Sequence, residues 1–339
     1  MTTQTPTTGP IFVAGLDRTG TSLIYALLAS HPRLAMTRRM NWWSYFYDRF
    51  GDLQDDRNLD RCLETMSRYR RHQRLAPDFA RLRADFVAGE RSYGRLLELL
   101  ERQHADRIGR PRWGDKSLHT ERYAGRVFGS FPDARILHMI RDPRDRYASV
   151  IKRWKQQARA GAGGATAAWL ASVALAQENE RRYAGRYRML RYEDLASDPE
   201  ATLRAVCAFI GEEYEPRMLL MEDAQDFRDT GGNSSYGTRQ PGRISTDSIG
   251  RFRSVLRSAD IAFIQQRAGR VMRRLGYEPV ATAMSGGARA SFLLRDWPLA
   301  SAKFAAWQIR ERMRDLLGRS PSDDTMADMA QPGAYASNE

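Results

Sequence analysis

The chain has 339 residues, of which 42% are hydrophobic and 28% are charged, a composition that excludes a disordered protein and permits a full hydrophobic core. Its formal net charge of +13 resides almost wholly in arginine, because lysine occurs only at Lys116, Lys152, Lys155 and Lys303. The arginines form no long basic block, which argues against a nucleic-acid partner. Guanidinium groups bind phosphate and sulfate bidentately, so a polyanionic cofactor or substrate is the simpler partner.

The cysteines and the chain ends carry no targeting or metal signal. Cys62 and Cys207 lie in helix-like surroundings without disulfide or metal-ligand spacing, which indicates a reducing compartment. Residues 1–10 lack the arrangement of a signal peptide, and no apolar run reaches membrane-spanning length. We therefore expect a cytoplasmic protein with no bound metal, a disordered N-terminus over 1–10 and a disordered tail over 320–339.

The first structural signal is a strand, a tight turn and a helix. Residues 11–14 form an apolar run typical of a buried strand, and residues 22–30 have helical periodicity. Two glycines permit a sharp turn between them, and the first amides of the helix favour an anion, although glycines also occur in purely structural turns. The residues expected to face this anion are Gly15, Asp17, Arg18, Thr19, Gly20, Thr21 and Ser22.

This turn differs at one position from the phosphate loop of nucleoside triphosphatases. The spacing of its glycines and Ser22 fits G-x-x-x-x-G-K-[ST], but Thr21 stands where that motif requires lysine. The long cationic side chain is instead Arg18, inside the turn. A terminal-phosphoryl reaction is therefore disfavoured, because the lysine that reaches the β and γ phosphates is missing.

Residues 36–50 form the densest aromatic stretch of the sequence. This stretch is either a core segment or lid packed on the sheet, as aromatic side chains commonly are, or a substrate wall with polar contacts from Arg38, Arg39 and Asn41. The region of about 40–110 is mainly helical and highly charged, which indicates a helical insertion covering one side of the sheet.

One of the few lysines lies just before a helix predicted over residues 120–130. Lys116 is flanked by Asp115 and, three residues later, by His119. In one interpretation Asp115 or Ser117 caps the helix and Lys116 is solvated. In the other, a cation beside a proton acceptor forms a group-transfer centre.

A second strand and turn are predicted farther along the chain. Residues 134–140 form an apolar run typical of a buried strand, in which His138 is expected to pack in the core. The strand ends at Arg141, and Ser149 lies on the helix that begins near Asp145. This turn is again suited to an anion.

A third strand is predicted over residues 186–191, running into Tyr192, and Pro199 opens the helix that follows. Strands that alternate with helices predict an α/β fold with a parallel sheet. The ligand of such a sheet lies at the carboxyl ends of its strands, where all three turns described above are found.

The later part of the chain is interpreted as helices and loops. The glycine-rich residues 161–164 are predicted to interrupt a helix that resumes over 166–183, and residues 228–242 are too polar and Gly-rich for regular structure. The basic stretch 243–257, which includes Arg251, is expected to close over the ligand.

Residues 281–319 are interpreted as a C-terminal helical extension that contains an amphipathic basic helix over 300–317. This helix docks on the domain, on a second subunit in a homodimer, or on an anionic membrane surface without inserting into it. Docking on the domain is favoured.

Together these motifs resemble the sulfotransferases that use 3′-phosphoadenosine 5′-phosphosulfate (PAPS), in their bacterial type. Residues 15–22 are similar to the Arg-containing 5′-phosphosulfate loop of the carbohydrate and protein-tyrosine branches. Arg141 with Ser149 resembles the 3′-phosphate motif, in which an Arg and a Ser eight positions later hold that phosphate. Tyr192 lies in a segment similar to one whose Tyr is near the adenine. The resemblance covers about residues 11–277.

The resemblance implies a P-loop-type parallel sheet and direct, in-line transfer of a sulfuryl group from PAPS to a hydroxyl of a small-molecule, carbohydrate or lipid acceptor. The product 3′,5′-adenosine bisphosphate (PAP) is released, and no metal is required. Arg18 and Lys116 are the candidates to stabilise charge on the leaving oxygen and the 5′-phosphate. The glycine turn is expected to bind the cofactor together with Arg141, Ser149, Tyr192 and Arg251.

The general base is where this sequence departs from the family. The cytosolic branch has a His two positions after the catalytic Lys, where this chain has Leu118. In the tyrosine and some carbohydrate branches a Glu follows a His-Pro pair, whereas residues 36–47 hold no carboxylate here. His119 and Asp115 are the remaining candidates, and His119 is favoured because its ordinary pKa lies near neutrality.

Two other functions are compatible with these residues. One is a P-loop kinase or NTPase, which requires Mg²⁺ and a nucleoside triphosphate, and the other is a non-catalytic protein that binds a nucleotide or another anion on the same fold. In either case the α/β domain is expected to span residues 11–280.

Overall fold

The structure, a computed structural model, describes residues 9–153, 160–224, 227 and 244–317. The predictions for the N-terminal residues 1–8, for the loop over 228–242 and for the tail over 320–339 fall outside these residues. Within them lies one five-stranded parallel sheet with the strand order β2-β3-β1-β4-β5. The strands are β1 (Ile11–Gly15), β2 (Leu34–Arg38), β3 (Arg112–Lys116), β4 (Arg135–Ile140) and β5 (Tyr187–Arg191).

Helices connect the strands and cover both faces of the sheet. They are α1 (Thr21–Ala29), α2 (Trp42–Tyr45), α3 (Asp56–Arg68), α4 (Arg70–Gln73), α5 (Phe79–Val87), α6 (Tyr93–Arg107), α7 (Ala124–Ser130), α8 (Pro143–Arg153), α9 (Gly161–Arg182), α10 (Tyr192–Ser197), α11 (Pro199–Ile210), α12 (Phe252–Val255), α13 (Ser258–Arg274), α14 (Gly286–Ser291) and α15 (Trp297–Leu316). The predicted α/β class with a central parallel sheet is confirmed.

The sheet has two strands more than the sequence predicted. β2 and β3 are short, and β3 carries three charged residues among its five, so neither looks like an apolar run. Two of these charged residues, Arg112 and Asp115, are nevertheless buried because each has polar partners. Arg112, for example, donates hydrogen bonds to the carbonyl oxygens of Gly9 and Ile210 and pairs with Glu212 at 3.0 Å.

The two faces of the sheet bury different helices. Side chains that alternate along β1 separate into Ile11 and Val13, which pack in one cluster with α1, α10 and α11, and Phe12 and Ala14, which pack with α6 and α7 on the other face. Both sets are fully buried. The carboxyl ends of all five strands therefore meet at one edge between the two helical layers.

The aromatic stretch is part of the core. Trp42, Trp43 and Phe46 are each exposed by 2% or less, and the Trp42 and Phe46 rings stack at 5.4 Å. The core interpretation of this stretch therefore holds for its large rings. The polar residues of this stretch lie at the edge of the sheet.

The predicted interruption at residues 161–164 falls at the start of α9, which begins at Gly161, where φ is 63°. These glycines therefore lie at a helix boundary, and the helix begins at Gly161 rather than at Thr166. Gly163 allows α9 to pack closely against α15. A Cβ atom at this position would lie 1.9 Å from the carbonyl oxygen of Ala300 on α15. The glycine thus lets two helix backbones approach each other, and helix geometry is kept because its neighbours are also buried.

The C-terminal helix docks on the domain, as the sequence analysis favoured. Besides the contact at Gly163, Glu311 of α15 is buried and pairs with Arg122 at 2.6 Å. The outer face of α15 exposes Ile309, Met313 and Leu316. In the described parts of the chain, no helix has the length and apolar character needed to cross a bilayer.

Gly163→Ala is expected to lower the free energy of unfolding by ~1–3 kcal/mol, because the added methyl group meets backbone that has no rotamer by which to escape. Chemical denaturation measures this loss. Gly129→Ala in α7 is the matched control, since a Cβ there meets nothing within 4 Å and should leave stability equal or slightly higher. Equal stability of the two variants would contradict the close-packing role.

Candidate anion-binding site

The segment from Gly15 to Ser22, here called the glycine loop, joins β1 to α1. Its backbone is left-handed at three positions, with φ values of 125° at Gly15, 64° at Arg18 and 97° at Gly20. The Thr19 hydroxyl donates to the carbonyl oxygen of Leu16 at 2.7 Å and closes the turn. Such a curled backbone directs successive amides toward its interior, which is the geometry of an anion site.

The start of α1 completes this geometry. Gly20 precedes the helix with no side-chain cap, and no acidic residue lies in the first turn, which begins at Thr21 and Ser22. The amides at a helix N-terminus have no acceptor within the helix and carry the positive end of its dipole. Gly20 also has to be glycine, because a Cβ there would lie 2.5 Å from the Tyr192 ring.

The β4–α8 turn meets the glycine loop directly. Arg18 donates from Nε to the Ser149 hydroxyl at 2.8 Å, and Arg141 donates from Nη1 to the carbonyl oxygen of Arg18 at 3.3 Å. The Arg141 guanidinium lies over the Tyr192 ring at 4.4 Å. The structure therefore brings together four of the residues that the sequence analysis assigned to the cofactor.

Asp17 links the glycine loop to α8. Its carboxylate pairs with Arg146 of α8 at 2.7 Å, and its carbonyl oxygen accepts a second hydrogen bond from the same guanidinium at 3.0 Å. Asp17 thus holds the glycine loop against α8. The other carboxylate oxygen, Oδ2, is buried and has no hydrogen-bond partner in the described part of the chain.

The segment that carries Arg251 packs against the same junction. Asp145 accepts hydrogen bonds from the amides of Gly250 and Phe252, on either side of Arg251, at 2.6 and 2.8 Å. Ser248 shares a 2.6 Å hydrogen bond with the Tyr192 hydroxyl. Arg251 is therefore positioned by its backbone next to the β4–α8 turn.

Lys116 ends β3 on the sheet face that α1 covers. It lies in register with Val13 of β1 and Arg38 of β2, and it is 4% exposed. Burial, together with the charges of Arg39 and Arg38, lowers the pKa of Lys116 to about 7. Among the residues that the structure describes, none accepts a hydrogen bond from its ammonium group. An anion bound beside it would restore the charged form.

Asp115 points to the opposite face of β3 from Lys116, because successive strand residues alternate. Its carboxylate accepts hydrogen bonds from the Ser117 hydroxyl at 2.7 Å and from the Met40 amide at 3.4 Å. Burial raises the pKa of Asp115 to about 6. These contacts tie the loop after β2 to the loop after β3.

A second buried carboxyl lies behind Asp115. Glu101 of α6 accepts a hydrogen bond from Thr37 at 2.8 Å, and burial and the charge of Asp115 raise its pKa well above the ordinary range. Burial thus favours the neutral form of the Glu101 carboxyl. Both carboxyls lie on the sheet face that α6 covers, opposite to Lys116.

His119 lies beside the glycine loop rather than beside the arginines near Lys116. Its backbone is left-handed, with φ at 64°, and its Nδ1 atom is 3.9 Å from a carboxylate oxygen of Glu121. Burial lowers the pKa of His119, and among the charges that act on it are those of Asp17 and Arg146. A neutral imidazole is a competent proton acceptor.

Glu121 is a buried residue at this site that sequence reasoning missed. It is 2% exposed, and its Oε2 atom accepts a hydrogen bond from the Gly15 amide at 3.2 Å, while the Ser172 hydroxyl donates to Oε1 at 3.3 Å. In sequence it is an acidic residue in the first turn of a predicted helix, which is the commonest place for one. No signal in the chain distinguished it from such a residue.

The comparisons with known proteins agree with this site. Residues 10–216 match the sulfotransferase family, and the chain therefore belongs to that family, as the sequence motifs predicted. Within the described residues, no group of three or more His, Cys, Asp or Glu side chains is arranged to hold a metal ion.

Two curated relatives are sulfotransferases. The chain is 24% identical over 294 residues to protein-tyrosine sulfotransferase A of Caenorhabditis elegans, a match that covers 82% of this chain and 69% of the relative. It is 28% identical over 174 residues to carbohydrate sulfotransferase 6 of Homo sapiens, covering 43% of this chain and 42% of that relative.

A solved structure shares the fold. The sulfotransferase domain of the olefin synthase from Synechococcus PCC 7002 is similar with a TM-score of 0.54 at 19% identity, over 79% of this chain and 94% of that domain. At this identity the similarity supports the architecture alone.

We expect Lys116 to titrate near pH 7, about three units below an ordinary lysine, because burial and nearby arginines disfavour its charged form. Carbon-13 NMR of the lysine side chains measures this, since the chain has only four lysines and Lys116→Met assigns the signal. The signals of the other three lysines serve as internal references. Titration of every lysine above pH 9 would contradict this description of the site.

Proposed function

We propose that the protein transfers a sulfuryl group from PAPS to an acceptor hydroxyl. The observation that carries this proposal is the junction of two anion-binding loops, in which Arg18 contacts Ser149 and Arg141 contacts the Arg18 backbone. A single ligand with phosphates at both ends fits such a junction better than a nucleoside triphosphate, whose phosphates lie in one chain. Family membership supports the reaction type.

The 3′-phosphate would lie at the β4–α8 turn, held by Arg141, Ser149 and Arg251. The Nε atom of Arg141 is buried and has no hydrogen-bond partner in the described part of the chain, as expected of a donor that awaits a phosphate oxygen. Tyr192 lies under the Arg141 guanidinium and would border the adenosine.

The 5′-phosphosulfate would lie in the glycine loop, where the amides that follow Gly15, up to Ser22, and the dipole of α1 favour an anion. The Gly15 amide itself donates to Glu121. PAPS supplies the activated sulfuryl group when it is bound. Arg18 and Lys116 would stabilise the negative charge that develops on the leaving oxygen, since charge rather than covalent chemistry controls such a transfer.

His119 would act as the general base. The acceptor oxygen forms a bond to sulfur while the bond from sulfur to the 5′-phosphate oxygen breaks, and the hydroxyl proton passes to the imidazole of His119. Glu121, at 3.9 Å from Nδ1, would orient the ring and stabilise its protonated form. Asp115 would position the loops around Lys116 through its contacts with Ser117 and Met40.

The two alternative functions make different demands. A kinase or NTPase requires Mg²⁺ and a lysine at position 21, where this chain has Thr21. A non-catalytic nucleotide-binding protein would bind PAP but would show no transfer from PAPS.

The decisive experiment is calorimetry with PAP, with ATP as the control and without added metal. Tighter binding of PAP than of ATP supports the proposed cofactor, and transfer from radiolabelled PAPS to a panel of phenols, sugars and lipids then supports catalysis. Preference for Mg-ATP, or no binding of PAP, would refute the proposal. Binding of PAP with no transfer to any acceptor would favour the binding protein.

Arg141→Ala is expected to weaken PAP binding by about 10- to 100-fold, the effect of losing a charged hydrogen bond, while binding of 5′-AMP, which lacks the 3′-phosphate, changes little. Comparison of the two ligands on one variant separates a phosphate contact from a loss of structure. Arg57→Ala, an exposed change in α3, is the control. Equal weakening of both ligands would argue against Arg141 as the 3′-phosphate residue.

Lys116→Ala is expected to lower kcat by about 100-fold or more, the usual effect of removing one oxyanion donor, with a smaller effect on PAP affinity. His119→Ala should lower kcat as well. In the pH profile of wild-type kcat, the midpoint of the acid limb should lie below the ordinary pKa of histidine, because burial lowers the pKa of His119. An unchanged rate for Lys116→Ala, in the presence of an identified acceptor, would refute its assignment.

A further inference from the structure

Four arginines lie close together at the end of β2 and just beyond it. We call this group the arginine wall, and it consists of Arg38, Arg39, Arg71 and Arg74. Arg38 ends β2 in register with Lys116, and the Arg39 amide donates to the Lys116 carbonyl oxygen at 2.8 Å. Arg71 lies on α4, and Arg74 is the residue that ends this helix. The wall is thus adjacent to the proposed transfer centre.

Buried aromatic residues hold the wall in place. The Tyr69 hydroxyl donates to the Arg39 carbonyl oxygen at 2.9 Å and accepts a hydrogen bond from Asn41 at 3.0 Å, which joins the start of α4 to the loop after β2. His72 of α4 is fully buried, and its ring centre lies 4.6 Å from that of Phe46. The guanidinium groups on either side of His72 are therefore carried by a fixed frame.

The charges of the wall repel one another. Burial and the charges of Arg39 and Arg74 lower the pKa of Arg71 to about 10. No described residue forms a hydrogen bond or an ion pair with the Arg71 side chain. Residues 36–47 hold no carboxylate that would oppose an anion there. A cluster of like charges on a rigid frame favours an anionic ligand between them.

The strand order places the wall on the acceptor side. Along the edge of the sheet the order β4, β1, β3, β2 corresponds to Arg141, the glycine loop, Lys116 and the wall. Adjacent strands are about 4.8 Å apart, so the wall begins about 10 Å beyond the glycine loop, away from the 3′-phosphate end. In-line transfer requires the acceptor to approach opposite the leaving group, which is the β2 side.

We infer that the acceptor carries an anionic group, a phosphate, sulfate or carboxylate, which the arginine wall binds next to the reacting hydroxyl. The inference rests on the proposed function for the location of the transfer centre. It narrows the acceptor from any hydroxyl compound to an acidic one. Arg71 and Arg39 are then binding residues for the acceptor and not for PAP.

The first test uses inorganic pyrophosphate as the probe on protein saturated with PAP, so that the cofactor site is already filled. Calorimetry should detect pyrophosphate binding that Arg71→Gln weakens by about 10-fold or more, the range for a charged hydrogen bond. Arg57→Gln, exposed on α3, should change nothing. Arg71→Gln should leave PAP binding unaltered, which also shows that the variant is folded.

Three results would overturn the inference: no binding of pyrophosphate to the PAP-saturated protein, binding that Arg71→Gln leaves unchanged, or a loss of PAP affinity in Arg71→Gln equal to that in Arg141→Ala. If the proposed function itself is wrong, the result differs from these three, because PAP would not bind to the wild-type protein at all. Pyrophosphate binding to the free protein that depends on Arg71 and not on Arg141 would then still establish the anion site.

The second test compares acceptors in matched pairs with radiolabelled PAPS, namely glucose 6-phosphate with glucose and 4-hydroxyphenylacetate with its neutral amide. The anionic member of an accepted pair should have a kcat/KM higher by about 10- to 100-fold, and Arg71→Gln should remove this preference. An equal or better reaction of the neutral members would refute the inference. If the protein sulfates no member of either pair, the pyrophosphate titration alone decides whether the inference stands.

Discussion

The hydrogen bond between Arg18 and Ser149 joins two loops that lie 131 residues apart in the chain, and the site depends on this junction. It forms because β1 and β4 are parallel neighbours whose carboxyl ends coincide. Each loop then begins a helix at the same edge, so two helix N-termini and their arginines converge. Tyr192 closes the junction by packing on Gly20 and under Arg141.

The electrostatics of the edge follow from the closeness of several cations to one another. Lys116 lies among arginines, and its pKa falls to about 7, while the nearest buried carboxyls, Asp115 and Glu101, face the opposite side of the sheet. The frame that opposes this repulsion is apolar and aromatic, from Phe12 to Phe46. An edge of this kind favours anions at several points along one line, which suits a bisphosphate cofactor and, on our inference, an acidic acceptor.

The strands that consist of apolar runs were predicted from the sequence. The strands whose burial depends on polar partners were not. β1, β4 and β5 were recognised, whereas β2 and β3 were not, because Arg112 and Asp115 look like surface residues until Glu212, Ser117 and the carbonyl oxygens around them are known. The glycines that were predicted to interrupt a helix instead belong to the first turns of α9, for a related reason. Gly163 disfavours a helix locally, but its role is set by Ala300, which is distant in sequence.

By itself the sequence identified the family and predicted the two anion-binding loops, because glycine spacing, Arg18 and the pair Arg141 and Ser149 are local patterns with a direct physical meaning. It left open what surrounds them. Only the tertiary structure separated Lys116 from Asp115 onto opposite faces, placed His119 beside Glu121 and gathered the arginine wall next to Lys116. The arginine wall and the contact of Glu121 with Gly15 join segments far apart in the chain, so no local pattern encodes them. Lys116 and Asp115 are adjacent, but their opposite faces could be assigned only once β3 was known to be a strand.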